Sequence, residues 1–501
     1  MSREVPAGPA QTGTRVMRGA SLSVIGNVGT HLLAVLAVAV LGRLLEPSDF
    51  GIMTMAVVIA GVFEAMVNRQ FDLALIRTKD AQDSHFNTAF GMAILWGLTA
   101  ASVLFFGADY IGAYMEEPAL ADVLKVMALV PLMDSLRNPY FVNFERQLIF
   151  WPIVSQHVVS KIAQAGVGVA LALWLGNYWA LILGFWALSF ARLVPTWVLA
   201  KSRPRPALTH WRYFLRFGGW LSGTGIVGFI MLRADAAIVF SKLGTAATGL
   251  YNMGIELAQM ATHHLAASIG QMVYPGLAGF AQDREKLNGA FFRAQEMLLG
   301  IMLPLGVGVA LIAPEAIRVF VGEKWLPAVP VLQVMGPLLA LSCVNYNVQS
   351  LLMIEGDTRA MFIRNLIVAV VQVPLILGLM ALYGFAGAIM ARGLAIVLHM
   401  FLSLQIAGRL TGAPWWASLT AARRPLMACL AMALAVLILG MVTGPAVGLL
   451  PALWIGALKA AVGAAVFVST MAALWAGAGR PDGLETRAWG FGMGLVRRVF
   501  G

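Results

Sequence analysis

Apolar stretches of about 20 residues recur along the whole chain, each bounded by charged or Pro/Gly-bearing breaks, and a helix needs about that length to cross a bilayer. Windows of this kind fall near residues 18–42, 50–68, 86–107, 119–137, 152–175, 178–199, 216–240, 248–274, 295–320, 328–353, 361–382, 385–407, 425–444 and 451–476, which predicts fourteen spans. The first follows Arg15 and Arg18 and is too long for a signal-peptide core, so it is expected to remain in the mature protein. Residues 1–14 are polar and Pro/Gly-bearing, a composition that buries too little to fold by itself.

The pattern repeats. A span ends in LGRLLEPSDFGIMTMA (Leu41–Ala56), and SKLGTAATGLYNMG (Ser241–Gly254) has the same layout. Leu45 and Gly51 answer to Leu243 and Gly249 at an offset of 198, as Arg18 does to Arg216. VLKVM (Val123–Met127) answers to VLQVM (Val331–Met335) at an offset of 208. Several matches in one order argue for duplication of a six-span unit. Six is even, so both copies keep one orientation, a parallel repeat. The predicted fold class is therefore an all-α polytopic membrane protein, two six-helix lobes in a parallel pseudo-repeat plus two C-terminal helices. Residues 1–17 form an N-terminal cytoplasmic tail, 18–200 the first lobe and 201–215 a basic linker containing the stiff R-P-R-P run. Residues 216–409 form the second lobe, 425–476 the two extra spans and 477–501 a C-terminal tail.

Composition agrees with this class and adds an orientation. The chain is 59% hydrophobic and 12% charged, which excludes a soluble globule of 501 residues. Its net charge of +11 could suggest nucleic acid, but the distribution decides otherwise. With the N-terminus inside, 26 of the 35 basic residues fall in inside segments, against only Arg43, Lys242, Arg318 and Lys324 in outside loops. Such a bias orients membrane proteins and places both termini in the cytoplasm. The basic balance reflects topology and anionic inner-leaflet lipid, and no nucleic-acid partner is expected. Cys343 and Cys429 fall in separate spans and read as buried inert thiols.

Enzyme readings fail on the residues. There is no GxxxxGK[ST], no Cys/His cluster with metal-ligand spacing, and no outside loop long enough for a catalytic domain. Glu315, Glu323 and Lys324 read as one such short outside loop. No enzyme activity, cofactor or metal is expected. What remains are ionisable groups within spans, where a charge at helix centre costs roughly 2.5–3.5 kcal/mol on insertion scales and needs a partner or a wet cavity. Arg233 and Asp235 stand two residues apart and so point in different directions on a helix. Counting ~1.5 Å per residue, Arg233 and Glu256 lie at one depth, ~10 Å from the outer ends of consecutive spans, and are expected to pair or to share a substrate. Arg392 lies at similar depth, Lys161 near mid-membrane and Glu64 nearer the inner end. In the first copy Val35 and Ala37 answer to Arg233 and Asp235, so the copies are alike in shape and unequal in charge. Each charge also fits a structural ion pair or a snorkelling head, Lys459 in the extra spans among them. Polar groups recur on the first span, with Asn27 and His31, and at the inside ends of the fourth and tenth, with Asp134, Arg137, Asn138, Asn345 and Asn347. Amides and carboxylates can hydrogen-bond sugar hydroxyls, and such groups also join helices.

Five segments in order resemble the Wzx-like polysaccharide flippases of the multidrug/oligosaccharidyl-lipid/polysaccharide exporter superfamily. They are Gly42–Ala56, FERQLIF (Phe144–Phe150), Arg216–Gly254, VYPGLAGFAQD (Val273–Asp283) and GEKWLPAVPVLQVMGP (Gly322–Pro337), within roughly residues 15–410. The resemblance implies two six-helix lobes around a central cavity. It implies transfer of undecaprenyl-diphosphate-linked oligosaccharide from the inner to the outer leaflet of a bacterial inner membrane. The family's cationic cavity would correspond here to Arg233, Lys161 and Arg392, holding the diphosphate. Asp235, Glu256 or Glu64 would couple an ion, and Asn27, His31, Asp134, Asn138, Asn345 and Asn347 would face sugar. Expected partners are that lipid, a polysaccharide polymerase and chain-length proteins. The alternatives are a cation-coupled drug exporter and a flippase for the peptidoglycan precursor. Basic span residues favour an anionic cargo over a drug.

Overall fold

The computed structural model describes residues 26, 29–78, 81–147 and 149–479. The side chains of residues 64–70, 216–224, 226, 264, 267–269, 271–272, 275 and 358 fall outside that description, as does Asn27 altogether. The regular elements among the described residues are all helices, which is the economical answer to the bilayer, because every helical N–H and C=O is satisfied within its own segment. Among the described residues, eight helices are long and apolar enough to cross a membrane, and two shorter apolar ones accompany them. Their outward faces are oily: Leu430, Leu434, Ile438 and Met441 on one helix and Leu450 and Trp454 on the next are all exposed, a surface suited to lipid rather than water.

The helices follow in chain order as α1 (Gly29–Leu44), α2 (Pro47–Arg77), α3 (Asp83–Tyr114), α4 (Pro118–Met127), α5 (Leu129–Ser135) and α6 (Val142–Arg146). Next come α7 (Trp151–Leu175), α8 (Trp179–Leu199) and α9 (Trp211–Ala261). The second half holds α10 (His263–Ala278), α11 (Arg284–Leu311), α12 (Ala313–Phe320), α13 (Val329–Ser342), α14 (Val344–Glu355), α15 (Thr358–Thr411), α16 (Ala417–Ala421), α17 (Arg423–Thr443) and α18 (Leu449–Gly477). Proline opens α2, α4 and α7, where its missing N–H is no loss. The two longest helices are each interrupted, α9 at Gly244 (φ 79°) and α15 at Gly384 (φ 56°), in backbone conformations that suit glycine. These breaks fall where the apolar pattern separates two spans.

The chain divides into two compact units, Met1–Gly249 and Leu250–Gly501. The main core of the first joins Ile52, Met55 and Ala56 of α2 with Leu104 of α3, Leu120 and Leu124 of α4, Ile182 of α8 and Phe240 of α9. A second cluster, with Leu75, Phe86, Tyr140 and Phe214, closes the other end. The core of the second unit joins α11 (Leu298, Leu299, Met302) with α14 (Val344, Val348, Leu351), α15 (Leu404) and α17 (Cys429, Met432). Both cysteines are free and buried.

The internal repeat is visible in atoms. A Cβ on Gly51 would strike the Thr245 carbonyl, and a Cβ on Gly249 would strike the Pro47 carbonyl. Thr245 is Pro47 displaced by 198, and Gly249 is Gly51 displaced by 198, so the two contacts, both within the first unit, are exchanged by that displacement. VLKVM and VLQVM bury matching positions, Val123, Leu124 and Met127 against Val331, Leu332 and Met335, all at 0% exposure.

Candidate functional site

Two polar assemblies stand out, one in each unit. In the first, a cavity of about 430 Å³ is lined from α2, α3, α5, α7, α8 and the 136–147 segment. It lies at the end of the unit where the connections after α2, α5 and α8 carry Arg77, Arg137, Arg146, Lys201, Arg203 and Arg205. Asp134, near the end of α5, is 7% exposed and faces Arg137 and Arg192 as its electrostatic neighbours. Neither arginine forms a salt bridge with it among the described residues. Asp134 Oδ1 and Arg137 Nε are both buried without a hydrogen-bond partner. Leaving such groups unmade is costly, so they mark a place where a further molecule can complete the bonding.

The walls of this cavity are pinned. Gln156 donates to the Arg192 carbonyl at 2.6 Å, locking α7 to α8. Asn138 Nδ2 donates to the Ser202 carbonyl at 2.9 Å while its Oδ1 accepts from Tyr140 N at 3.0 Å. The amide expected to face sugar thus lines the cavity and also fixes the loop beside it. Tyr140 Oη donates to Asp83 Oδ1 at 2.9 Å, and burial with this carboxylate beside it pushes the phenol up to about 12.

In the second unit, Arg364 is only 4% exposed, and its guanidinium donates to Ser403 Oγ and Asn365 Oδ1, each at 3.2 Å. All these partners are neutral. His399, one turn from Ser403, meets Asn345 Nδ2 at 3.2 Å and has Arg364, Arg392 and His263 as electrostatic neighbours. Beside them Asn347 is fully buried and donates to Gln295 Oε1 at 2.8 Å. Asn345 Oδ1, Asn347 Oδ1, Gln295 Nε2 and His399 Nε2 are buried without a partner. Most described carboxylates of this unit are engaged with other cations: Glu296 with Arg424, Glu315 with Lys459, Glu323 with Arg318, Glu355 with Arg284 and Asp283 with Lys286. The arrangement is a positively charged polar interior, suited to an anion.

The sequence-derived residues are distributed as follows. Arg392 (8% exposed), Asn345 and Asn347 belong to or border the second assembly, and Asp134 and Asn138 to the first. Arg233, in the first half of α9, is exposed and makes no ion pair or hydrogen bond among the described residues. Asp235 is 2% exposed and has an interaction partner. Glu256 belongs to the other unit, half-buried and partnered. Lys161 donates to Gln164 Oε1 at 3.1 Å, one turn along its own helix. His31 is half-buried and engaged. Asn27 and the Glu64 side chain lie outside the described residues.

One reading is corrected. Glu315 is not in a loop but in α12, 4% exposed, and pairs with Lys459 Nζ at 2.6 Å. Lys459 is thus a structural ion pair. Sequence reasoning missed Arg364, His399 and Gln295. Arg364 stands three residues into its span and reads as one more inside charge, and His399 is a lone imidazole in VLHMF.

Comparison with known proteins supports the same class. The chain is 23% identical to the lipopolysaccharide biosynthesis protein WzxC of Escherichia coli over 72% of its length and 74% of that protein's. It is 24% identical to the succinoglycan biosynthesis transport protein ExoT of Rhizobium meliloti over 67% of each chain. A further relative, the teichuronic acid biosynthesis protein TuaB of Bacillus subtilis, is 20% identical over 70% of this chain and 73% of that protein. Transport in the name of ExoT agrees with the expectation of a carrier and not an enzyme. Among solved structures, the lipid II flippase MurJ in an inward closed conformation superposes with a TM-score of 0.75 at 15% identity, covering 91% of this chain and 98% of that one. An inward-facing multidrug resistance MATE transporter superposes at 0.51, with 14% identity over 78% of this chain and 96% of that one. These likenesses establish the fold. Since the family model for polysaccharide biosynthesis proteins matches residues 40–330, more than half of the chain, this multi-pass helical membrane protein belongs to that family.

Proposed function

We propose that the protein moves a polyprenyl-diphosphate-linked oligosaccharide from the inner to the outer leaflet of a bacterial inner membrane, as one step in making a surface polysaccharide. The observation that carries this reading is Arg364, a buried guanidinium whose partners among the described residues are neutral, in an interior it shares with Arg392 and His399. A diphosphate brings about two negative charges and is held by arginine in a low-dielectric passage. An inside-negative potential favours its outward movement by about 2.3 kcal/mol per elementary charge per 100 mV, and about twice that for two charges. Exposed Arg233 meets the same cargo, and Lys161 assists in the first lobe. Asp235, Glu256 or Glu64 couples a proton or sodium ion. Both termini lie in the cytoplasm, where the positive loops meet anionic lipid. A polymerase and chain-length proteins receive the product.

The test is the leaflet distribution and glycan composition of lipid-linked intermediates in a deletion strain. Deletion should trap the intermediate on the inner leaflet, and Arg233→Ala should reproduce part of that accumulation. Wild-type polymer yield in the deletion would overturn the reading. Accumulation of a cell-wall precursor instead, with arrested wall growth, would reassign the cargo to peptidoglycan.

A further inference from the structure

We infer that the cavity of the first unit is a carbohydrate site, which takes one end of the glycan of a lipid-linked cargo and not its diphosphate. The inference rests on the transport reading above and names which chemistry this unit recognises. At about 430 Å³ the cavity falls within the roughly 300–1,000 Å³ common for small-molecule sites.

Its lining selects among ligands. Asp72, Asp134 and Glu145 face it together with Arg137 and Arg192, so carboxylates are at least as numerous as guanidiniums. A doubly anionic group would meet that wall at a disadvantage. No group of His, Cys, Asp and Glu among the described residues is arranged to hold a metal ion. A purely apolar molecule would leave Asp134 Oδ1 and Arg137 Nε, which have no partner among the described residues, still unbonded. A sugar ring satisfies both requirements of the site. Its hydroxyls donate to the buried carboxylate and accept from the guanidinium, while its C–H face lies against an aromatic wall provided by Phe71, Phe90 and Phe141. The Gln156 and Asn138 bonds fix the α7, α8 and 138-segment side of the lining before any ligand arrives, which lowers the ordering cost of binding.

A reporter cysteine added to the full chain in lipid nanodiscs tests this. Ile153→Cys places a thiol in the lining, and the wild-type chain, whose Cys343 and Cys429 are buried, serves as the blank. The rate of maleimide labelling is measured with two probes: the oligosaccharide released by mild acid from the host's polyprenyl-diphosphate fraction, and inorganic pyrophosphate. The oligosaccharide should slow labelling and pyrophosphate should not. Adding Asp134→Asn should weaken that protection about tenfold, the loss expected when a hydrogen bond to a charged group is reduced to a neutral one. Its labelling rate without sugar should match the parent, which reports an intact fold. If Asp134→Asn does not fold, Phe90→Leu makes the same test through the aromatic wall. Labelling that the oligosaccharide leaves unchanged overturns the inference, and so does equal protection by pyrophosphate. Failure of the transport reading shows separately, in the leaflet assay of the deletion strain.

Discussion

Arg364 shows how a single side chain can carry a functional argument. A buried guanidinium normally finds a carboxylate, because an uncompensated charge in a low-dielectric interior is expensive. Here Ser403 and Asn365 supply hydrogen bonds without neutralising it, so the charge remains available to a ligand. Arg364→Gln should lower polymer yield by roughly tenfold or more, since a charge-assisted bond to phosphate is lost while the amide still reaches Ser403. Arg364→Lys should recover only part, because an ammonium cannot present the planar fork. Polymer yield at matched membrane protein levels measures both, and a fully active Arg364→Gln would remove this residue from the cargo path. Part of this assembly was legible beforehand: Arg392, Asn345 and Asn347 are conspicuous because polar groups are rare within spans. Arg364 and His399 were not, since 35 residues of chain separate them and only tertiary packing brings them together. Asn138 was legible as a polar group, and it lines the first cavity, but its bonds to the Ser202 carbonyl and Tyr140 N come from tertiary packing that no local pattern displays.

At the scale of elements, the repeated motif was readable because close backbone packing leaves a sequence mark. Gly51 and Gly249 each sit against a carbonyl of the opposite motif, and no side chain fits there. Gly51→Ala should therefore destabilise this crossing, by about 1–3 kcal/mol if the helices shift to absorb the methyl. Thermal unfolding in detergent measures the loss, and Gly249→Ala should resemble it because the contacts are exchanged by the 198-residue displacement. If only one of the two is sensitive, the reciprocal packing is not what these glycines provide. The error at Glu315 has a related cause. The run APEAIRVFVGEK is short, charged and flanked by proline and glycine, so its pattern resembles a turn. Its burial depends on Lys459, 144 residues later, which no local pattern can reveal.

For the whole molecule, the loop charges predict that alkaline phosphatase fused at the C-terminus is inactive and that a green fluorescent protein fused there is bright. The reverse pair of signals would invert the orientation. The two last helices raise a different question, because they lie beyond the repeat and the family match ends at residue 330. They are tied to the second unit by charge, Arg424 of α17 to Glu296 of α11 and Lys459 of α18 to Glu315 of α12. Removing them would strip both acids of their partners and leave two uncompensated carboxylates, at about 3–5 kcal/mol for the buried Glu315–Lys459 pair and less for the half-buried Glu296–Arg424 pair. A chain ending at Ala422 should therefore fail to accumulate. The charge argument and mere loss of apolar packing make different predictions for rescue. If stranded charge is the main cause, Glu296→Gln with Glu315→Gln in the shortened chain should restore much of the folded yield, judged by a monodisperse elution peak. If packing dominates, the double substitution should change nothing. In the full-length chain the same logic runs in reverse: Glu315→Gln alone should destabilise by leaving Lys459 unpaired, whereas Glu315→Leu with Lys459→Met should come close to wild-type stability. A transition temperature for that double variant as low as for the single one would show that the pair contributes more than mutual neutralisation.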